Sequence, residues 1–215
     1  MDPGLSTIQS VEISEDLRAG INRALNEADL MAVRVADDGS EATVVLRVLT
    51  LPRDGPEPGD RVRYLRCRPI GRVAASLRHG RWDDKSARVE HISPDQFSAV
   101  VASSVSQLYG WHFLDPPEDS WKHWRKRLSL DLSFRERSDH VFEFFKDNLS
   151  DPVRHLDFRI WFDELEVFDQ RSESISLQSF ADGGTRWWDA LYAGDPRTQG
   201  HGIRPLRSEE GPPAS

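Results

Sequence analysis

The stretch His155–Asp169, HLDFRIWFDELEVFD, restricts the fold more than any other part of the chain. Successive side chains of a strand point to opposite faces. Leu156, Phe158, Ile160 and Phe162 therefore share one face, and Asp157, Arg159, Trp161 and Asp163 share the other. After Asp163-Glu164 the apolar phase moves by one residue, to Leu165 and Val167, and a bulge or tight turn at that dipeptide is expected to absorb the shift. A ribbon with one greasy and one charged face needs helices or a second sheet on its apolar side. The charged side reads as solvated, with Arg159 relieving the repulsion between Asp157 and Asp163.

The same alternation recurs along the chain. Ser14 reads as the N-cap of a helix with Glu15 and Asp16 in its first turn and Leu17, Ile21 and Leu25 as its stripe, ending near Leu30. Two β-rich runs flank Asp37-Asp38-Gly39-Ser40, which is hairpin chemistry. Residues 52–60 are loop by composition. Leu65 and Cys67 lie on one strand and Val73, Ala75 and Leu77 on the next, followed by a short strand from Arg88 to Ile92. Ser93-Pro94 opens a second helix, expected to run to about Phe113, with Phe97, Val100, Val101, Val105 and Leu108 on its apolar face. LSLDLSF (128–134) alternates, and HVFEFFKD (140–147) reads as a strand. SISLQSFADGGTRWWDALYAG (174–194) carries a helical pattern interrupted at Gly183-Gly184.

These elements give an α+β fold, mainly antiparallel sheet with about three helices. The expected organisation is an unstructured stretch at 1–6, an α+β unit at 7–117, a β-rich unit at 118–193 packed on the first, and a disordered Gly/Pro/Ser-rich tail at 194–215. A shift of 83 residues aligns Gly71–Phe97 with Arg154–Phe180 without a gap, matching Arg88, Glu90, Ile92, Ser93 and Phe97 to Arg171, Glu173, Ile175, Ser176 and Phe180. This suggests a tandem duplication of a several-strand-plus-helix unit.

Composition narrows the chemistry. No apolar run reaches the ~20 residues that cross a bilayer, and the first residues lack a basic patch followed by an apolar core, so the expected location is the cytoplasm. The net charge is -8, which argues against a nucleic-acid partner, since phosphate neutralisation dominates that affinity. The basic runs 61–72 and WKHWRKR (121–127) are local exceptions, the second with Trp121 and Trp124 beside Lys122, Arg125, Lys126 and Arg127. There, cation–π and ion-pair packing is the plainer reading. Arginine outnumbers lysine 24 to 4, which reads as GC-rich bacterial coding rather than a binding role.

Motifs exclude more than they assign. The chain has no nucleophile elbow, phosphate loop or dinucleotide fingerprint. Cys67 shares a face with Leu65, away from Arg66 and Arg68, and reads as a buried structural thiol. His91-Ile92-Ser93 is half of a two-histidine phosphoesterase pattern, and His155-Leu156-Asp157 fails to supply the other half. No cofactor is expected. The first reading is a non-catalytic, regulatory, adaptor or immunity-type protein that binds another protein, possibly a basic one. Its candidate contacts are Trp161, Trp187, Trp188, Arg159, Trp121 and Trp124. Of the adjacent pair Trp187-Trp188, about 100° apart on a helix, at least one is expected in the core, which leaves the other for contact. The alternative is a small-ligand module with a pocket lined by Trp161, Trp187 or Trp188. A third reading is a hydrolase with a metal on Asp157, Asp163 and His155.

Overall fold

The structure, a computed structural model, describes residues 13–81, 83–147 and 153–203. The expected unstructured stretch at 1–6 and the tail beyond residue 203 lie outside them. The fold is α+β. Among the described residues nine strands form one antiparallel sheet: β1 Asp29–Val35, β2 Ala42–Arg47, β3 Val62–His79, β4 Arg88–Glu90, β5 Ser106–Gln107, β6 Leu130–Ser133, β7 His140–Lys146, β8 Arg154–Phe168 and β9 Ser174–Ile175. The main order is β5-β1-β2-β3-β8-β7. Three α-helices of the described residues accompany it: α1 Glu15–Leu25, α2 Pro94–Ala102 and α3 Leu177–Tyr192. No helix among the described residues is long and apolar enough to cross a membrane.

The frame is the pair β3–β8, antiparallel from Tyr64↔Phe168 to His79↔Arg154. The expected division between a strand with Leu65 and Cys67 and a next strand with Val73, Ala75 and Leu77 does not occur, nor does a bulge at Asp163-Glu164. Instead, β8 runs through Asp163-Glu164 in continuous register, and the irregularity sits on β3, between Ile70 and Arg72. Gly71 is the extra residue. Its carbonyl accepts from Phe134 N–H (2.7 Å) and Arg135 N–H (3.0 Å), so the bulge leaves no orphan acceptor. Both strands do change burial phase, from Cys67 to Ile70 and from Phe162 to Leu165, on either side of Arg68–Pro69. β2 pairs with β3 before the bulge, and β6 and β4 take over that edge beyond it.

The core lies on one face of the sheet. Val44, Leu46, Leu65, Cys67, Ile70, Val73, Ala75, Leu77, Phe142, Phe144, Leu156, Phe158, Ile160 and Phe162 meet Ile21 and Leu25 of α1, Phe97 and Val101 of α2, and Phe180 and Ala181 of α3. Each large apolar side chain so buried contributes roughly 1.5–3 kcal/mol. This core draws on both sides of the 117/118 boundary and is continuous across it. The proposed repeat is matched only locally. Val73↔Ile160, Ala75↔Phe158 and Leu77↔Leu156 pair around a local dyad, and Ser93 and Ser176 both cap helices. However, β4 pairs at Leu77–His79 whereas β9 pairs at Val167–Phe168, positions that the 83-residue shift does not relate, so the fold does not establish a duplication.

Helix lengths follow tertiary contacts. α1 stops at Leu25, earlier than expected, because Asn26 caps it and Glu27 takes a left-handed φ of 61°. α2 stops at Ala102 rather than Phe113. Lys146 Nζ, on the end of β7, donates to the carbonyls of Val101 and Ser104, a cation at a helix C-terminus. Burial pushes the Lys146 ammonium down to about 8. α3 is not interrupted at Gly183-Gly184. The glycines let elements approach it: a Cβ on Gly184 would lie 2.4 Å from Ala24 Cα and Cβ of α1, and one on Gly183 would lie 2.3 Å from Thr50 Oγ1. Part of the expected disordered tail is folded: a 3-10 turn at Pro196–Thr198 leads to His201, which contacts Glu57 (2.8 Å) and Arg61 (3.3 Å).

Residues between α2 and β6 close the sheet. Leu108 N–H donates to Ala28 O (2.9 Å) outside β1, and Phe113 O accepts from Glu143 N–H (2.8 Å) outside β7. Five residues span at most about 18 Å, while a flat sheet in this order would hold those flanks about 29 Å apart at ~4.8 Å per strand. The sheet is therefore curled. The buried Asn22 of α1 holds the closing segment, with Oδ1 accepting from Phe113 N–H (2.8 Å) and Leu114 N–H (2.7 Å) and Nδ2 donating to Leu114 O (3.3 Å). Asn26 Oδ1 accepts from Gly110 N–H (3.3 Å).

Gly184→Ala tests the helix contact. Its Cβ would strike the α1 backbone, so the variant is expected to lose ~1–3 kcal/mol in urea denaturation despite alanine's better helix propensity. Gly59→Ala, with open space around its Cβ, is expected to change stability by under ~1 kcal/mol.

Candidate functional site

The face of the sheet opposite the core carries Ala74, Ser76 and Arg78 of β3, Asp157, Arg159 and Trp161 of β8, and Glu143 of β7, with Ala74↔Arg159↔Glu143 and Ser76↔Asp157 as cross-strand neighbours. The sequence reading left this face in solvent, and the structure covers half of it. After Pro116-Pro117 a 3-10 turn, Glu118–Trp121, lies across the strands and leads through Trp124 to Arg127. Trp121 and Trp124 pack on the small side chain of Ala74, with Leu128 and Trp161 beside them. The three rings meet edge-on, Trp121–Trp124 at 5.3 Å and Trp121–Trp161 at 5.2 Å between centroids.

Arg159 fastens this cover and is 1 % exposed. Its Nε donates to Glu143 Oε2, Nη2 donates to Ser120 Oγ and to Pro117 O (3.3 Å), and Nη1 reaches Glu118 Oε2 at 3.4 Å. The guanidinium also lies over the Trp121 ring, at 4.9 Å. Arg72 repeats the motif at the rim. It stands 5.1 Å over Trp161 and binds Asp131 through Nε (2.7 Å) and Nη2 (2.9 Å). Most of the aromatics and arginines of this stretch hold each other. Toward the other end of β8 the expected solvated face does exist, with Asp163, Glu164 and Glu166 paired to Arg135, Arg68 and Arg66 in half-exposed ladders.

Beside the cover lies a cleft of about 460 Å³ between the 118–127 segment and the loop after β3. Its floor is a charged row. Arg78 donates to Asp157 Oδ2 and to Ser76 Oγ (3.2 Å), Asp157 Oδ2 also meets His155 Nε2 at 3.0 Å, and His155 Nδ1 binds Asp147. Lys85, Lys122, His123 and Arg127 line the cleft with Asp83, Asp84 and Trp124. Burial alone would lower the His155 pKa, but the hydrogen bonds and charges of Asp157 and Asp147 outweigh it, and the net shift is upward. With a carboxylate on each ring nitrogen, the imidazolium is the form that satisfies both.

The residues of the metal reading do not converge. Asp163 lies six positions along β8 from Asp157, about 20 Å away. It accepts instead from Arg135 Nη2 and from Asp139 N–H (3.3 Å). Among the described residues no group of three or more His, Cys, Asp or Glu side chains could hold a metal. Cys67 is buried, which raises its thiol pKa well above the ordinary value.

Of the six candidate contact residues, Trp121, Trp124, Arg159, Trp187 and Trp188 are buried, and Trp161 is half-buried. Trp187 is fully buried and Trp188 4 % exposed, a correction to the expectation of one free ring. Leu49, Leu51 and Ile203 pack over them, and His201 meets Trp187 edge-on at 5.6 Å. They lie away from Trp161, which lines a separate cleft of about 200 Å³ with Trp121, Arg72 and Arg135. The exposed apolar side chains are others. Val105 (58 %), Tyr109 (55 %) and Trp111 (47 %) stand on the segment that closes the sheet. Trp111 leans on Trp188 at 5.6 Å, with Tyr192 beyond, 6.1 Å from Trp188. A helix running to Phe113 would instead place Val105 and Leu108 on its apolar face. Ser103-Ser104 and Gly110 were the signals against that extension. A shallow cleft of about 400 Å³ at the base of this segment is lined by Val105, Tyr109, Asp29 and Asp147.

Glu143→Gln is expected to cost ~3–5 kcal/mol, because Arg159 keeps its buried charge and loses its closest carboxylate. Glu118→Gln, at the exposed end of the same arginine, is expected to cost under ~1 kcal/mol. Chemical denaturation followed by Trp emission separates the two. For His155, NMR titration of the ring is expected to give a midpoint above the unperturbed value of about 6.5, and Asp147→Asn is expected to lower it. The folded pKa is the higher one, so the stabilisation is complete below the unfolded pKa and is lost as pH rises through the folded value. Comparison with family models, curated proteins and solved structures gives no match, so a functional reading rests on the geometry of the chain itself.

Proposed function

We propose that the chain is a binding protein that acts without catalysis, as an adaptor or regulator in a bacterial cytoplasm, and that it docks a basic protein partner through residues 105–111. One observation carries this: Val105, Tyr109 and Trp111, three of the five large apolar side chains exposed among the described residues, stand on one short segment. Exposed tryptophan and tyrosine are the side chains that concentrate binding energy at interfaces. The segment is also pre-ordered. Asn26 holds Gly110 and Asn22 holds Phe113 and Leu114, so little conformational entropy is lost on docking. The net charge of -8 favours a cationic partner and a salt-sensitive encounter.

A photo-crosslinking residue in place of Trp111 is expected to trap one discrete protein adduct in cells. The same residue at the exposed Lys126 is expected not to. The adduct should weaken in raised salt and disappear on Tyr109→Ala, a change at an exposed side chain that should alter stability by no more than ~0.5 kcal/mol. Equal adducts at both positions, or none at Trp111, would rule the surface out.

A further inference from the structure

We propose that residues 196–203 form a displaceable strap over Trp187 and Trp188, and that its release joins these two rings to the 105–111 surface as one docking face. The inference rests on the docking reading above and adds its regulation. The closed strap is an autoinhibitory occupant of ground that the basic partner uses, and it lowers the apparent affinity by the fraction of molecules in which the strap is open.

Continuity between the two surfaces is the first support. Trp111, exposed on the docking segment, leans on Trp188 at 5.6 Å, and Trp188 meets Trp187 edge-on at 5.2 Å. The rings run without a break from solvent to the fully buried Trp187. The strap covers the inner end of this row. His201 stands edge-on to Trp187 at 5.6 Å, and Ile203 packs on the same cluster.

The second support is how the strap is held. Among the described residues, the backbone hydrogen bonds of 196–203 stay inside its own turn, from Thr198 N–H to Asp195 O (3.1 Å) and from Gln199 N–H to Pro196 O (3.1 Å). Thr198 is buried, and its hydroxyl also bonds back to Asp195 O (2.9 Å). Polar attachment to the rest of the fold is by side chains. Arg197 Nη1 donates to Gly55 O (3.1 Å), and His201 meets Glu57 (2.8 Å) and Arg61 (3.3 Å). A segment with no ladder bonds opens at lower free energy than the sheet beneath it. Gly194, at φ 72° with open space around its Cβ position, gives the strap a hinge where it leaves α3.

Packing is the third. A cleft of about 250 Å³ separates Gly200, His201 and Ile203 of the strap from Glu27, Arg47 and Gln107. Gln107 belongs to the docking segment, so the gap under the strap opens onto the surface that it regulates.

Indole N–H exchange with water, read by NMR under native conditions, tests the strap without any partner. The Nε1–H groups of Trp187 and Trp124 are both buried and lack an acceptor, so each exchanges when its own cover opens. Trp187 should exchange at least about tenfold faster than Trp124. His201→Ala, which removes the contacts to Glu57, Arg61 and Trp187, should speed Trp187 roughly a further tenfold and leave Trp124 unchanged. Glu57→Cys/His201→Cys bridged by a short bis-maleimide should slow Trp187 to the Trp124 rate, and the buried Cys67 does not compete for the reagent. In cells, the photo-adduct at Trp111 should rise several-fold in His201→Ala. Equal exchange of Trp187 and Trp124, or a Trp187 rate that His201→Ala leaves unchanged, would overturn the strap. An adduct of equal yield with and without His201→Ala would overturn its control of docking. The expected exchange rates with no adduct in any variant would instead overturn the docking reading itself.

Discussion

The buried guanidinium of Arg159 governs the surface features of this fold. A charge taken out of water costs several kcal/mol unless its hydrogen bonds are restored. Here Glu143, Ser120 and the Pro117 carbonyl restore them. Two of those three partners come from the 117–121 turn, so satisfying the arginine also fixes the turn to the sheet. Trp121 then lies on the guanidinium and beside Trp161, and Trp124 fills the space over Ala74. The cover in turn supplies one wall of the cleft whose floor is Arg78, Asp157 and His155.

A second constraint acts at the opposite side of the core. The sheet curls because the segment following α2 must bond to both of its flanks, and Asn22 anchors that segment from α1. α1 reaches this position because Gly184 lets α3 approach its backbone at Ala24. Small side chains at one helix contact thereby determine where Tyr109 and Trp111 are displayed. Asp147 stands where the two surfaces meet, binding His155 of the charged row and lining the shallow cleft beside Val105.

Three buried groups of types often used in catalysis are committed to structure. His155 has a carboxylate on each ring nitrogen, Cys67 is buried in apolar surroundings, and Lys146 caps α2. Two surface features stand apart from these, an apolar ledge at 105–111 and a cleft of mixed charge by Trp124.

Much of the architecture is legible in the residues. Alternation at Leu156–Phe162, the Asp37–Ser40 turn and the Ser14, Ser93 and Ser176 caps are local signals, and each names its element without help from the rest of the chain. The departures from expectation between Cys67 and Val73, at Gly183-Gly184 and over residues 103–113 share one cause. A breaker residue or an apolar face has a different meaning once a neighbour is present, and the neighbour lies far away in sequence. Gly184 reads as a helix breaker until Ala24 is seen against it, and Val105 reads as core until Lys146 ends the helix before it. The candidate surfaces were harder still to see, since exposed and buried tryptophans carry the same local pattern. The sequence by itself determined an acidic, antiparallel α+β chain with its greasy faces turned inward, because periodicity and charge act over a few residues. Only the tertiary structure decided which charged residues are buried, which aromatics face solvent and where a cleft opens, because those depend on what the 105–127 segment covers when it crosses the sheet.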